Sequence, residues 1–472
     1  MPISYRHPQA LPYLFLTELW ERYGFYIVQG LLILYMTQYF NLPDSESYTI
    51  LGTFTAFVYI SPLIGGVLAD KVLGFSKTIV WGGFFLVLGY ALLSLSLRIT
   101  FYPALATIIV GNGLFKPNIS SLLGTLYTID NPRRDSGFTL FYVGINTGAF
   151  LAGLTSGYIK DYFGWHISFM LASIGMLIGL ITFWYGLKHI SHLQESFTPM
   201  QKYKHFHSPW SLCYAFIAII LLSFLLKNQW IANSLLPVTG IVLLVLLSMI
   251  IIRQNIQYRK PLLLLMFLIL SSIVYWMLYL QMFFSSNLFI YRLVNKQIGS
   301  ITLSTTLFYG LESIFIILLG PLFAWSWQVL SQNEKNPSTV TKFASGIFFA
   351  GLAFLILSFS TQFPNAAGLI NPLWIVFAYL CITIGELLLS PIGLAAVTVL
   401  SPRHLVGMMM GVWFVALGFG GVFAGKIAQF ANVPDTVIVL SDQLAIYHHA
   451  FFQYAVIAFI VSGILFVLKW IV

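Results

Sequence analysis

Apolar residues occur along this chain in runs of about twenty, one after another, with short polar stretches between them. The runs are centred near 11–38, 48–69, 78–98, 101–125, 137–160, 167–187, 210–227, 231–252, 261–291, 302–330, 342–361, 371–400, 404–430 and 448–471. Within each run the apolar positions are continuous rather than alternating. That pattern predicts helices and argues against barrel strands. Fourteen spans is an even number, so both ends of the chain are expected on one side.

The longest polar stretch, KHISHLQESFTPMQKYKHFH (188–207), separates six spans from the rest. A pair of spans follows at 210–252, then six more. The expected organisation is an N-terminal six-helix bundle (1–190), a linker with an inserted helix pair (191–259), and a C-terminal six-helix bundle (260–472). Two bundles of this kind imply a ligand site between them near the membrane midplane. The stretch holds four histidines but no cysteine or carboxylate cluster, so a solvated linker is expected there and no metal site.

Composition sharpens the picture. Of 472 residues, 59% are hydrophobic and 8% charged, against roughly 25% charged in soluble domains. A soluble fold of this size would lack the polar surface to cover itself. The reading is an all-α polytopic membrane protein. Cys213 and Cys381 both fall in apolar runs, which favours packing over a disulfide. The short start MPISYRHPQA and the charges in the first run argue against a cleaved signal peptide.

The net charge of +9 follows from loop composition. Loops on the N-terminal side of the membrane hold fifteen lysines and arginines, and the opposite loops hold five. That excess places both termini in the cytoplasm. It is a topology signal; nucleic-acid binding is not implied.

Charges inside the spans are more informative. Glu18, Glu21, Glu312 and Glu386 lie within spans, with Arg22 and Lys116; Lys426 lies near a span end, where it can snorkel. Each such charge costs about 2.5–3.5 kcal/mol on insertion scales, so six of them must pair or meet water. In ELWER the charges fall at i, i+3 and i+4, on one helix face. Lys116 is the expected partner across the bundle. Two carboxylates beside a base can take up and release a proton. A purely structural ion-pair cluster is the lesser alternative.

These charges sit in recognisable contexts: ELWER itself, GGVLADKVLGFSKTI (65–79), GNGLFKPNISSLLGTLY (111–127), FTLFYVGINTGAF (138–150), GELLLSPIGLAAVTVLSP (385–402) and MMGVWF (409–414). Together they resemble the proton-dependent oligopeptide transporter family of the major facilitator superfamily, over nearly the whole chain. The resemblance implies that Glu18, Glu21 and Arg22 couple to the proton, with Lys116 as partner and as ligand of the peptide carboxylate. It implies that Asn146 and Glu386 hold the peptide's amino terminus. Tyr26, Tyr59, Trp413 and Phe414 would shape the pocket with Gln29. Ser390 and Pro391 stand beside Glu386, where proline can loosen the helix for gating. Asp70 and Lys71 read as a cytoplasmic latch between bundles rather than a substrate contact.

Three departures from the family pattern stand out. Gln29 replaces a usual arginine, and Leu280 replaces a glutamate before glutamine in helix 7, so an ion pair is lost as a unit. Glu312, followed by Ser313, replaces a usual asparagine in helix 8. Phe25 also replaces a tyrosine. The site therefore loses a cation and gains an anion at its amine end.

The expected function is proton-coupled import of di- and tripeptides across a bacterial cytoplasmic membrane. Protons would be the coupling ion, with no cofactor, and one chain the working unit. Uptake of amino acids, polyamines or other amine-bearing solutes by the same fold is the alternative, and a channel or non-transporting sensor a more distant one. The chain has no HExxH, no GxSxG and no cysteine–histidine pair in one membrane half, so nothing in it suggests an enzyme.

Overall fold

In hydrocarbon every backbone N–H and C=O needs a partner, and a helix supplies all of them internally. The apolar runs fold accordingly. The computed structural model describes residues 7–127, 131, 133–190, 210–402 and 404–468, with backbone alone at 210–212. Its helices are α1 (Leu11–Gln38), α2 (Asp44–Leu68), α3 (Phe75–Ser94), α4 (Arg98–Thr125), α5 (Arg134–Phe163), α6 (Trp165–Gly186), α7 (Trp210–Lys227) and α8 (Gln229–Arg253). They continue as α9 (Ile256–Tyr279), α10 (Ser285–Leu293), α11 (Thr305–Gln332), α12 (Thr339–Ser360), α13 (Leu373–Leu400), α14 (Val406–Ala428) and α15 (Leu440–Leu468). With α9 and α10 taken as one broken span, the described residues contain the fourteen spans expected. Twelve are long and apolar enough to cross a membrane by composition alone. The other two are α1, which carries the ELWER charges, and α7, whose apolar portion Cys213–Lys227 is short.

The break between α9 and α10 needs no proline. A 3₁₀ turn, Leu280–Met282, ends α9. The Gln281 amide donates to the carbonyl of Ala424 on α14 at 2.9 Å, and Ser285 Oγ donates to Gln281 Oε1 at 2.6 Å. The glutamine thus supplies hydrogen bonds where the helical ladder is interrupted. Beyond α10 a two-stranded antiparallel hairpin pairs Gln297–Ile298 with Ile301–Thr302, a feature the apolar pattern had not indicated.

The chain forms two contact units: Met1–Leu31 with Phe57–Asn228, and Leu32–Ala56 with Gln229–Val472. In the first, α3 packs on α4 and α6, α4 on α7, and α5 on α6. In the second, α12 packs on α13 and α15, α9 on α14, and α11 on α13. These units cut across the segments 1–190, 191–259 and 260–472. Residues 32–56 go with the second unit, and α7 and α8 fall to different units.

The start of α2 is bound into that second unit by polar contacts. Gln429 Nε2 donates to the carbonyl of Ser45 at 2.9 Å, and Thr53 Oγ1 donates to Gln229 Oε1 at 2.8 Å. Asp44, buried, takes both amino groups of Arg292 at 2.6 and 2.7 Å and also accepts from the backbone N–H of Val433. The loop charge count treats Arg292 as a plain topology signal; the structure corrects this, because Arg292 is committed to a bidentate ion pair.

Candidate functional site

The first unit gathers the ELWER charges. Glu18, Glu21 and Arg22 are all buried on α1. The guanidinium of Arg22 forks onto Glu21: Nη2 donates to Oε1 at 2.6 Å, and Nε contacts Oε2. Nε also lies 3.5 Å from Glu18 Oε1, one turn earlier on the same face. The remaining donor direction reaches α4, where Nη2 donates to Asn112 Oδ1 at 3.3 Å. Asn112 is held in turn by its own amide, which donates to the carbonyl of Val58 at 3.0 Å. Below, the ring of Phe25 lies 4.8 Å from the guanidinium carbon. Helix α5 can approach this face because it presents Gly148: a Cβ there would sit 2.3 Å from the Leu19 carbonyl oxygen and 3.1 Å from Arg22 Cβ.

Lys116 stands one turn after Asn112 on α4, half-buried, its ammonium 5.0 Å from the centroid of the Tyr59 ring. Pro117 follows it, leaving the Gly113 carbonyl without a helical donor. Among the described residues no carboxylate lies within ion-pair distance of Lys116, although its charge still acts on Glu18 and Glu21 at longer range. The expected direct pairing of Lys116 with the cluster is therefore not a contact here; Arg22 takes both carboxylates. Two carboxylates and one guanidinium leave an excess anion. Glu18 Oε2 is buried with no hydrogen-bond partner among the described residues. A proton there brings the triad to neutrality.

Other predicted residues of this unit lie nearby on the same helices. Tyr26 is half-buried, edge-on to Phe25 at 5.6 Å. Gln29 is buried, and neither amide atom has a partner among the described residues. Asn146 on α5 is buried and donates to the carbonyl of Tyr142 at 3.0 Å. Asp70 and Lys71 are exposed on a π-turn (Ala69–Leu73) that ends α2, and neither makes an ion pair among the described residues.

The second unit holds the other two acids of the spans. The carboxyl groups of Glu312 on α11 and Glu386 on α13 lie in hydrogen-bonding contact. Tyr279, at the end of α9, donates to Glu312 Oε1 at 3.5 Å, and Ser313 Oγ donates to Oε2 at 3.3 Å. Glu386 Oε2 is buried without a partner among the described residues. Gly385 sets this geometry, since a Cβ there would stand 2.7 Å from the Gly346 carbonyl oxygen on α12 and 2.9 Å from the Tyr275 ring. No lysine, arginine or histidine of the described residues lies within ion-pair distance of either acid.

Trp413 is buried on α14 against Gly393 and, edge-on at 6.2 Å, Phe343, so it packs between helices. Phe414, its neighbour, is exposed. Ser390 is half-buried and Pro391 exposed on α13, and Leu280 is buried at the break after α9. The histidine-bearing stretch from 191 to 209 lies outside the described residues.

Sequence reasoning missed Asn112, Tyr279 and the Asp44–Arg292 pair. Asn112 left a signal, an amide four residues before Lys116 on one helical face. Tyr279 and Asp44 left none, since one is an aromatic among many and the other sits at a span end where acids are common.

Comparison with known proteins bears on this arrangement. The family model described as POT family matches residues 76–445. Dipeptide and tripeptide permease A of Yersinia pestis is 34% identical over 466 residues, covering 97% of this chain and 91% of the permease. The permease of the same description from Klebsiella pneumoniae (strain 342) is 33% identical over 466 residues, covering 98% and 92%. Among solved structures, a peptide transporter POT in complex with sulfate superposes with a TM-score of 0.84 at 30% identity, covering 99% of this chain and 95% of that one. A variant of a peptide transporter POT in complex with alafosfalin gives a TM-score of 0.86 at 29% identity, with the same coverage.

Proposed function

This chain belongs to the POT family, and on that premise we propose that it imports di- and tripeptides together with protons across a bacterial cytoplasmic membrane. It is a multi-pass membrane protein of the major facilitator fold, in a family of transporters rather than enzymes. The observation that carries the peptide reading is likeness over 97% of the chain to permeases described by their dipeptide and tripeptide substrates. Proton coupling rests on the buried Glu18–Glu21–Arg22 triad, whose surplus carboxylate a single proton neutralises. The basic loops support cytoplasmic termini, and one chain carries every group the scheme uses.

Roles follow from charge. Lys116, held by an aromatic face and by no close carboxylate, is the cation for a peptide's carboxylate. Glu312 and Glu386 are the anions for its amine. Two carboxyls in one place favour a substrate that brings two positive charges, such as a peptide with a lysine side chain. A charge–charge contact of that sort is worth about 1–3 kcal/mol, or roughly 5- to 150-fold in relative affinity.

The test is competition for uptake of labelled Ala-Ala into proteoliposomes. Lys-Ala should compete better than unlabelled Ala-Ala on the native protein, and Glu312→Asn should remove the advantage. Equal competition, unchanged in the variant, removes Glu312 from substrate selection. If no dipeptide competes, or none exchanges in counterflow, the peptide reading itself fails.

A further inference from the structure

Among the described residues, Glu312 and Glu386 have no cation within ion-pair distance, and that raises a question the amine-binding role leaves open: what balances them before a substrate arrives? Glu312 is 4% exposed, Glu386 is half-buried, and their carboxyls touch. Two carboxylates cannot accept from each other; a hydrogen bond between them requires one proton.

Among the described residues the surrounding elements place no cation within ion-pair distance of the two acids. From α9 come Tyr279, which donates to Glu312, and Tyr275, whose hydroxyl is committed to the Ile382 carbonyl at 2.9 Å. The remaining titratable groups of α9, namely Tyr258, Arg259 and Lys260, lie near its opposite end. The one titratable residue of α12, Lys342, stacks over Trp327 at 4.2 Å. Helix α14 carries only Lys426, in its last turn, and α10 carries Tyr291 and Arg292, the latter held by Asp44. On α13 itself the other titratable groups are Tyr379 and Cys381, neither of them cationic. Glu312 already accepts from Tyr279 and Ser313, whereas Glu386 Oε2 accepts from nothing among the described residues. The contact thus joins a carboxyl that accepts two further hydrogen bonds to one with an oxygen that accepts none, the arrangement in which the latter keeps the proton.

We propose that Glu312 and Glu386 hold one shared proton in the substrate-free protein and release it when a substrate ammonium docks. The second unit then has a protonation site of its own, separate from the triad on α1. The step balances simply. The protonated pair and an R–NH₃⁺ group become two carboxylates bound to R–NH₃⁺, and one H⁺ leaves to water or to the next acceptor. No bond other than O–H is broken. This inference rests on the amine-binding role assigned to the pair and adds to it the proton that the amine displaces.

Two consequences follow. Proton and ammonium compete, so affinity for amine-bearing substrates falls as pH falls, by about tenfold per unit below the pH at which the pair gives up its proton. Neutralising one member with an amide that keeps the hydrogen bond removes the competition, because the amide introduced by Glu312→Gln can donate to Glu386 without an ionisable proton.

The experiment is calorimetry of Lys-Ala binding to the purified full chain in buffers of differing ionisation enthalpy, which counts protons released. The native protein should release about one more proton per peptide than Glu312→Gln. Equal release by the two overturns the proposal. Infrared difference spectra of the native protein alone provide a readout that does not depend on the variant folding. Adding Lys-Ala should bleach a protonated-carboxyl C=O stretch, and a spectrum without that bleach overturns the proposal. If no peptide binds at all, yet a pH titration of the substrate-free protein shows a buried carboxyl losing its proton, the amine-binding role is at fault and the shared proton stands. If peptide binds without either signature, the shared proton is at fault and transport stands.

Discussion

Replacing Arg22 by lysine keeps the charge and removes the geometry, so it separates the two. The guanidinium makes two contacts to Glu21, one to Asn112 at 3.3 Å, and lies within reach of Glu18 at 3.5 Å. A lysine ammonium is compact and cannot straddle both oxygens of Glu21 while also reaching α4. At least one charge-assisted bond to Glu21 and the bond to Asn112 are lost. Each is worth about 1.5–3 kcal/mol, less whatever the smaller group recovers by shifting, which leaves a net loss of about 2–4 kcal/mol. Asn112 stays anchored to Val58 but loses its donor. Arg22→Ala goes further and leaves two buried carboxylates unpaired, for a loss of about 3–5 kcal/mol. Thermal unfolding in detergent should rank native above Arg22→Lys above Arg22→Ala, and pH-driven dipeptide uptake by Arg22→Lys should fall at least tenfold. If Arg22→Lys matches the native protein in both assays, a bare positive charge suffices and the fork has no role.

Three further outcomes are expected. Glu21→Gln should abolish accumulation driven by a pH gradient while counterflow stays measurable, since exchange needs no net proton movement; intact gradient-driven uptake in that variant excludes Glu21 from coupling. Lys116→Ala should lower uptake strongly yet leave the protein monodisperse on size-exclusion chromatography, because its ammonium holds no ion pair whose loss would strand a buried acid; native-level transport shows a structural charge only. Asp44→Asn leaves Arg292 without its counter-charge and should destabilise by about 2–4 kcal/mol, below the range for a fully buried pair because the Arg292 side chain is 24% exposed; an unchanged melting temperature would falsify that estimate.

The spans were legible because the physics that makes them is local. Twenty apolar residues in hydrocarbon have one way to satisfy their backbone, and the observed helices fall on the apolar runs. The break at Gln281 was not legible, because it depends on a carbonyl of Ala424 far along the chain. The triad could be read from Glu18, Glu21 and Arg22, which share a face by helical spacing alone. Which cation answers those acids was not, since Arg22 and Lys116 have the same charge and only packing decides between them. Glu312 showed up in the sequence as an acid where the family has an amide. Its contact with Glu386 came only from the fold, which brings α11 and α13 together beside the Gly346–Gly385 approach. Trp413 shows the opposite limit: its motif suggests a pocket wall, and only the fold shows that it packs against Gly393 and Phe343.

The central claim is that a proton gradient drives peptide into the cell through this chain. Uptake of labelled Ala-Ala into proteoliposomes with an imposed potential and pH difference tests it most directly. About 100 mV contributes ~2.3 kcal/mol and one pH unit ~1.4 kcal/mol per proton. At one proton per neutral dipeptide the ~3.7 kcal/mol sum supports accumulation of up to a few hundred-fold. The account predicts concentrative uptake that collapses to equal concentrations inside and out when a protonophore is added. Uptake that only equilibrates, at a level indifferent to the gradient and to the protonophore, would contradict it.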